Sequence, residues 1–352
     1  MKSRRYFLKQ GTLATTAMLV AKPFMSFGET GSFLFSERGS GGNVMLLHTN
    51  DLHNHLAPLN HDVYSGLGGF EKTASVISSI KQEHKNVLLL DAGDIFCGNS
   101  HHQTEQETTL QMMGSAGYDA VLLGNRDYET GIDYLQEKLA KNNIPLVASN
   151  YSYKAGWLKN TQQPYKIVRK GNIKIGIVGA GIDMKGLAPV SGSVQYNDPL
   201  KKVSAIATML KQEEKCQLVV CLSHLGYKNK NAVDDITLAA QSENIDIIIG
   251  GHSHTFMQAP QIVLNKQQQE VIINHAGYGG TVLGTMTISF DEHGIKSKVS
   301  FNNLMVGTEN NKWIQKILFP VELRKADKNI KIFHPLAGFV NGLFYPAGFL
   351  SI

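Results

Sequence analysis

Ile245-Asp246-Ile247-Ile248-Ile249-Gly250-Gly251-His252-Ser253-His254-Thr255 is the stretch around which this chain is organised. Its β-favouring apolar residues predict a buried strand, and the double glycine predicts a tight turn after it. In an extended backbone, residues two positions apart point the same way. We therefore expect His252 and His254 to reach one polar site at the carboxyl end of a core strand, where open α/β sheets usually bind ligands. Taken alone, the two histidines also fit an ordinary loop.

The chain before and after this stretch alternates short apolar strands with helical segments. The predicted strands are Val44–His48, Val87–Leu90, Ala120–Leu123, Leu146–Ala148, Ile173–Val178, Leu218–Leu222, Ile245–Ile249, Val271–Asn274 and Thr281–Phe290. The predicted helices are Gly69–Glu83, Thr104–Ser115, Ile132–Asn142, Pro199–Glu214 and Asp234–Ser242. Such alternation indicates an α/β layered fold with parallel pairing. Because no helix separates the last strands, we expect an antiparallel portion and hence mixed sheets.

Metal-ligating side chain types follow five of these strands. They are Asp51 and His53, then Asp94, then Asn125, then His224, and finally His252 and His254. Carboxylate, imidazole and amide groups together suit borderline divalent ions such as zinc, manganese or iron. The set exceeds what one four- to six-coordinate ion needs and fits two ions that share a carboxylate. Each motif alone could merely cap a turn, but its recurrence at five strand ends favours a metal centre.

Five motifs, in their order and approximate spacing, carry a family resemblance. They are Leu47-His48-Thr49-Asn50-Asp51-Leu52-His53, Gly93-Asp94, Gly124-Asn125, Ser223-His224-Leu225-Gly226-Tyr227 and Gly250-Gly251-His252-Ser253-His254-Thr255. Over residues 43–305 the chain resembles the calcineurin-like metallophosphoesterases, above all their 5'-nucleotidase branch. The resemblance implies a sandwich of two mixed β-sheets flanked by helices. It also implies two divalent metal ions at the strand ends, one held by Asp51, His53 and His254, the other by Asn125, His224 and His252, with Asp94 as the bridge. His48 and His55 are left as structural or supporting groups.

The resemblance implies hydrolysis of a small phosphorylated substrate, with nucleotides among the candidates. A metal-bound hydroxide would attack in line with the leaving oxygen, without a covalent intermediate. Asn125 and Arg126 occupy the catalytic motif, but the family's usual histidine after the asparagine is replaced by Arg126. A guanidinium stabilises negative charge and cannot deliver a proton. Our hypothesis is that Arg126 clamps the phosphate, and the alternative is a surface ion pair with Asp127 or Glu129.

Two other functions stay open at this point. One is an accessory protein that binds metal and phosphate with weakened or no turnover, and the other is a sulfur-ester hydrolase on the same fold. Residues 310–352 are too few for the carboxyl-terminal domain in which many relatives hold the base. The resemblance therefore does not transfer nucleotide specificity.

The amino terminus resembles a twin-arginine export signal. Met1-Lys2-Ser3-Arg4-Arg5-Tyr6-Phe7-Leu8-Lys9 precedes a short apolar run from Gly11 to Ala21, which fits a charged region followed by a hydrophobic one. We predict a signal over 1–28, a linker over 29–42, the metallophosphoesterase domain over 43–305 and an extension over 306–352. This implies recognition by the twin-arginine export machinery, a periplasmic location and no transmembrane span after processing. The alternative is a basic N-terminus of a cytoplasmic protein.

Charge and cysteine content limit the remaining possibilities. The formal net charge is +5, and five basic residues lie in the predicted signal: Lys2, Arg4, Arg5, Lys9 and Lys22. The rest of the chain is balanced, so the charge does not predict nucleic acid binding. Three cysteines, Cys97, Cys216 and Cys221, are too few for a disulfide framework. We expect Cys216 and Cys221 to be buried thiols, and one disulfide pair stays open.

Overall fold

The computed structural model describes residues 41–60, 64–96, 103–154, 156–186, 192–229, 232–307 and 321–324. Its helices are α1 (Phe70–Glu83), α2 (Gln103–Ala116), α3 (Ile132–Asn142), α4 (Gly156–Thr161), α5 (Pro199–Gln212) and α6 (Asp235–Gln241), with a 3₁₀ turn at Arg126–Tyr128. Its strands are β1 (Gly42–Thr49), β2 (Val87–Asp91), β3 (Ala120–Val121), β4 (Tyr151–Tyr153), β5 (Tyr165–Lys170), β6 (Ile173–Ala180), β7 (Val194–Tyr196), β8 (Leu218–Ser223), β9 (Ile247–Gly250), β10 (Gln261–Leu264), β11 (Glu270–His275), β12 (Val282–Phe290), β13 (Lys296–Phe301), β14 (Leu304–Met305) and β15 (Val321–Arg324). The predicted signal, most of the predicted linker and most of the predicted extension lie outside the described residues.

Two mixed sheets form the core of the fold. The first has the strand order β15-β13-β12-β1-β2-β3, with β14 also paired to β12, and the second has the order β10-β11-β9-β8-β6-β5. In the first sheet β1, β2 and β3 are parallel, and in the second β6, β8, β9 and β11 are parallel. The carboxyl ends of parallel neighbours meet at one edge, which is what brings the predicted site residues together.

The second sheet is buried on both faces, as a parallel sheet in a layered fold must be. In β8, the side chains of Leu218, Val220 and Leu222 contribute to the core shared with the first sheet. The alternate residues Val219 and Cys221 pack with residues of α5 and α6. The side chain period of two thus divides one strand between two apolar layers. The predicted sandwich of two mixed sheets flanked by helices is confirmed.

Element prediction was accurate for the core and wrong at the sheet edges. All five predicted helices exist, with ends shifted by two residues or fewer. The segment Leu146–Ala148 makes only isolated bridges and is not a strand. Three longer strands were missed, namely Tyr165–Lys170, Gln261–Leu264 and Lys296–Phe301. The first two are edge strands and the third pairs with edge strand β15, and the polar residues that such incompletely buried strands carry mask the apolar pattern.

No helix among the described residues is long and apolar enough to cross a membrane. Cys216 and Cys221 are buried free thiols, as expected, whereas Cys97 lies outside the described residues.

Candidate metal centre

The loops that follow β1 and β2 are joined by backbone hydrogen bonds. The backbone N–H of Asp51 donates to the carbonyl of Gly93 at 2.8 Å, and that of His53 donates to the carbonyl of Asp94 at 3.1 Å. The parallel pairing of the two strands continues in this way into the loops. Asp51, His53 and Asp94 are therefore held close together by main chain contacts rather than by their side chains alone.

One group of candidate ligands consists of Asp51, His53 and His254. The Nε2 atoms of His53 and His254 lie 2.9 Å apart, and Asp51 Oδ1 is 3.8 Å from the first and 3.6 Å from the second. His53 Nδ1 is 3.0 Å from the carbonyl oxygen of Phe96. Because a carbonyl only accepts, Nδ1 carries the proton and Nε2 presents a lone pair to the group.

A second group consists of Asp94, His224 and His252, beside Asn125. His224 Nε2 lies 3.2 Å from Asp94 Oδ2, and His252 Nδ1 lies 3.0 Å from Asn125 Oδ1. His224 Nδ1 donates to the carbonyl of Ala92 at 2.7 Å, which again leaves Nε2 as the nitrogen that faces the group. A buried carbonyl that orients a ligating imidazole is the usual support in metal sites.

Asp94 lies between the two groups. Its Oδ2 is 3.2 Å from His224 Nε2 and 3.9 Å from His53 Nε2, so one oxygen faces an imidazole of each group. Its Oδ1 accepts the backbone N–H of Arg126 at 2.8 Å. Asp94 is therefore within reach of both groups.

The donor set fits a pair of divalent cations. His224 Nε2 is fully buried, and among the described residues it has no hydrogen-bond partner. Burial alone lowers the pKa of His224, but Asp94, Asp51 and the carbonyl of Ala92 together outweigh it and raise the pKa to about 10, so this position favours positive charge. Burial lowers the pKa of His252 to about 4 and that of His254 to about 3, so both rings are neutral and able to ligate. A carboxylate facing imidazole nitrogens is the arrangement that a cation stabilises.

Five of the candidate ligands have a strained, left-handed backbone conformation. Positive φ angles occur at Asp51 (51°), His53 (48°), Asp94 (55°), His252 (71°) and His254 (48°). Non-glycine residues adopt this region only where the surroundings enforce it, as at functional sites. The assumption of an extended backbone after β9 is therefore wrong. His252 and His254 do not share one direction but join the two neighbouring groups.

Two supporting residues were missed from the sequence. Asp127 is buried, and its carboxylate accepts the backbone N–H groups of Asp94, Phe96 and Gly124. It therefore fixes the loop that carries Asp94 and is not the surface partner considered for Arg126. Asn50 donates to Asp51 Oδ2 at 2.8 Å. Their adjacency to predicted ligands was the available signal.

Arg126 pairs with Glu129 in this structure. Its Nη1 lies 2.8 Å from Glu129 Oε1, across one turn of the 3₁₀ segment. The guanidinium is still close enough to both groups for its charge to lower the pKa values of His53 and His252, although burial is the larger cause for each. The ion pair that was considered as the alternative is thus present, beside the candidate metal centre.

Two mixed sheets with carboxylates and imidazoles at their strand ends are the arrangement that the resemblance to the metallophosphoesterases implied. The chain belongs to the calcineurin-like phosphoesterase family, whose model matches residues 44–256. The family is dimetal-dependent, and the two groups described above are the candidate sites.

Several proteins that are similar to this chain are 5'-nucleotidases. The chain is 28% identical over 298 residues to snake venom 5'-nucleotidase of Naja atra, a match that covers 77% of this chain and 54% of the relative. A 5'-nucleotidase precursor from Thermus thermophilus is 26% identical, with a TM-score of 0.66 over 78% of this chain and 57% of that one. The sulfate thiohydrolase SoxB of Thermus thermophilus, 16% identical with a TM-score of 0.64 over 81% of this chain and 61% of that one, shares the fold. The chain spans about half the length of the curated relatives that it matches.

Proposed function

We propose that this chain is an exported dimetal phosphohydrolase that cleaves phosphate esters or anhydrides. The observation that carries the proposal is the position of Asp94, whose Oδ2 faces His224 on one side and His53 on the other. Asp51, His53 and His254 would hold one ion, and Asn125, His224 and His252 the other. Zinc, manganese and iron suit these nitrogen and oxygen donors.

Two bound ions would supply Lewis acidity and lower the pKa of a nucleophilic water. The protein's own part is to fix the ligands before substrate arrives. Backbone hydrogen bonds join the loops of Asp51 and Asp94. The carbonyls of Phe96 and Ala92 fix the orientations of His53 and His224. Preorganised charges of this kind stabilise the transition state without reorganising during the reaction.

Arg126 would bind the substrate phosphate. Its backbone N–H is anchored on Asp94, which keeps the side chain beside the proposed bridge. A guanidinium offers several donors to phosphate oxygens but no proton to the leaving group. A general acid typically supplies a factor of about 10²–10⁴ in rate. Substrates with good leaving groups, such as anhydrides and aryl esters, therefore lose least by its absence.

The same arginine favours a second candidate, a binding protein with little or no turnover. Arg126 already has an ionic partner in Glu129 at 2.8 Å. A protein of this kind would bind metal and phosphate and would release no product.

Nucleotides are the substrate class that we propose first, because the Naja atra relative and the similar Thermus thermophilus precursor are 5'-nucleotidases. We also propose export through the twin-arginine pathway, on the sequence of residues 1–28. Fractionation of cells that express the parent and an Arg4→Lys/Arg5→Lys variant tests export. The parent is expected in the periplasm and the variant in the cytoplasm, and equal distribution would contradict the signal.

The reaction is tested with protein of known metal content. Turnover of p-nitrophenyl phosphate, bis-p-nitrophenyl phosphate, nucleoside mono- and diphosphates and an aryl sulfate is measured with zinc, manganese, iron, cobalt and magnesium in turn. Metal-dependent phosphate release supports the hydrolase. Phosphate binding without turnover by any metal supports the binding protein, and release from the sulfate alone supports the sulfur-ester alternative.

A further inference from the structure

Three residues at the ends of neighbouring parallel strands lie in one row across the second sheet. Ser223 in β8 is the register partner of Gly250 in β9, and Gly250 is the partner of His275 in β11. Ser223, Gly250 and His275 each follow by two positions a residue that packs with the helices, and they lie on the same face of the sheet. Those residues are Cys221, Ile248 and Ile273. Side chains at such positions point to the same side of the sheet. Ser223 and His275 therefore flank the place where Gly250 has no side chain.

Asp235, in the first turn of α6, fills that place. Its Oδ1 accepts a hydrogen bond from Ser223 Oγ, and its Oδ2 accepts one from His275 Nε2 at 2.6 Å. A Cβ at Gly250 would overlap both His275 Nε2 and Asp235 Oδ2. The side chains of Ser223, Asp235 and His275 are completely buried. One carboxylate thus joins β8 to β11 across the glycine of β9.

This unit, which we call the Asp235 bracket (Ser223, Asp235 and His275), stands behind the second group of candidate ligands. Ser223 precedes His224 by one residue, and Gly250 precedes His252 by two. Gly251 donates its N–H to the carbonyl of Ser223 at 2.9 Å, which joins the two ligand-bearing turns directly. The bracket therefore contacts the backbone just before both imidazoles.

The bracket is also connected to the first group of candidate ligands, through hydrogen bonds that begin next to His275. The N–H of Ala276 donates to Asn50 Oδ1 at 2.9 Å, and Asn50 Nδ2 donates to Asp51 Oδ2 at 2.8 Å. This connection is less direct, because the side chain of Asn50 lies between the bracket and Asp51. The bracket should thus act more strongly on His224 and His252 than on Asp51.

We propose that the Asp235 bracket is the positioning element that sets the separation of His224 and His252 and so determines metal affinity at that group. The proposal rests on the metal centre put forward above. The usual role of an aspartate at this point of a helix is a cap, but Asp234 already provides it by accepting the N–H of Thr237 at 2.7 Å. The carboxylate of Asp235 is turned instead to the strand ends. Outer groups that hold ligands in place typically change metal affinity by about 10- to 100-fold.

The experiment is a titration of the chelator-treated full chain with Co²⁺ alone, followed by its visible absorption and by equilibrium dialysis. The parent should bind two equivalents. Asp235→Asn and His275→Gln should bind one equivalent as the parent does and the other about 10- to 100-fold more weakly, with an altered absorption band for that equivalent. Asp234→Asn is the matched control, since it removes a buried charge from the same helix end. It should lower thermal stability and leave both Co²⁺ affinities unchanged.

The outcomes separate this inference from the proposed function. A parent that binds no Co²⁺ overturns the metal centre itself. A parent with two sites, together with Asp235→Asn and His275→Gln variants of unchanged affinity, overturns the bracket alone. An equal loss of affinity in Asp234→Asn also overturns it, because a general weakening of α6 would then be the cause. If either bracket variant fails to fold, Ser223→Ala decides, with a several-fold weaker second equivalent expected and unchanged affinity as the contrary result.

Discussion

The Nε2 atoms of His53 and His254 lie 2.9 Å apart, although 201 positions separate the two residues in the chain. The proton of His53 is on Nδ1, which donates to the carbonyl of Phe96, so its Nε2 carries a lone pair. The ring of His254 is neutral, because burial and then the neighbouring imidazole of His53 lower its pKa to about 3. A cation beside both nitrogens would explain why the fold brings them so close.

Removing one of these imidazoles should remove one metal site. We expect His254→Ala to lower the number of tightly bound zinc ions from two to one, because its site would keep only Asp51, His53 and the shared Asp94. Isothermal titration with Zn²⁺ and elemental analysis measure the number. His293→Ala is the control, since that side chain is 74% exposed and lies 3.6 Å from Glu292, which is not a candidate ligand. Two tight sites in His254→Ala would contradict the assignment.

Replacing Arg126 by histidine should restore a proton donor. We expect Arg126→His to raise kcat on an alkyl phosphate by about 10-fold or more and to change kcat on p-nitrophenyl phosphate little, because only the poor leaving group needs an acid. Steady-state kinetics on both esters measure the difference. A gain of equal size on the two esters, or none on the alkyl ester, would contradict the leaving-group argument.

The partner of Arg126 offers an independent test of the phosphate clamp. If the guanidinium binds substrate, Glu129 competes for it through the 2.8 Å ion pair. We expect Glu129→Gln to lower KM for p-nitrophenyl phosphate several-fold and to leave kcat nearly unchanged. Glu137→Gln, which breaks the exposed pair with Lys141, is the control. An unchanged KM in Glu129→Gln would show that the guanidinium does not contact the phosphate.

The sequence was sufficient to predict the core strands, which are apolar runs. It was also sufficient to predict the candidate ligands, which follow those strands. Parallel neighbours end at one edge, so the sequence alone predicts that Asp51, Asp94 and His224 lie together. The division of His252 and His254 between two groups could not be derived from spacing, because it depends on left-handed backbone at both residues. The resemblance alone predicted it.

The supporting groups depend on tertiary contacts that have no local pattern. Asp235 reaches Ser223 and His275 only because two other strands lie beside β9. Likewise Asp127 could be considered a surface partner of Arg126 until its burial was known. Burial decides the role of such a carboxylate, and burial is a property of the assembled fold.

Asp127 should be important for both stability and metal binding. Asp127→Ala leaves the N–H groups of Asp94, Phe96 and Gly124 without their acceptor, and each buried unpaired group costs about 1–3 kcal/mol. We expect the free energy of unfolding to fall by at least ~2 kcal/mol and Zn²⁺ affinity to fall as well, because the loop of Asp94 loses its anchor. Urea unfolding and zinc titration measure the two effects. Asp133→Ala, at an exposed position of α3, should change neither. Zinc affinity equal to the parent's would contradict the role in metal binding.

His48 should make the fold sensitive to acid. It is completely buried, its Nε2 lies 2.8 Å from Asn274 Nδ2, and burial, with a smaller contribution from His275, lowers its pKa from 6.5 to about 3. Below about pH 6.5 the unfolded chain therefore binds a proton at this residue, whereas the folded chain does not. The free energy of unfolding should fall with decreasing pH, by up to ~1.4 kcal/mol per pH unit from this residue, until the pH approaches about 3. Urea unfolding of the chelator-treated parent and of His48→Gln between about pH 7 and about pH 4 measures the effect. The variant should show the shallower dependence, and parallel curves would show that His48 is not the group responsible.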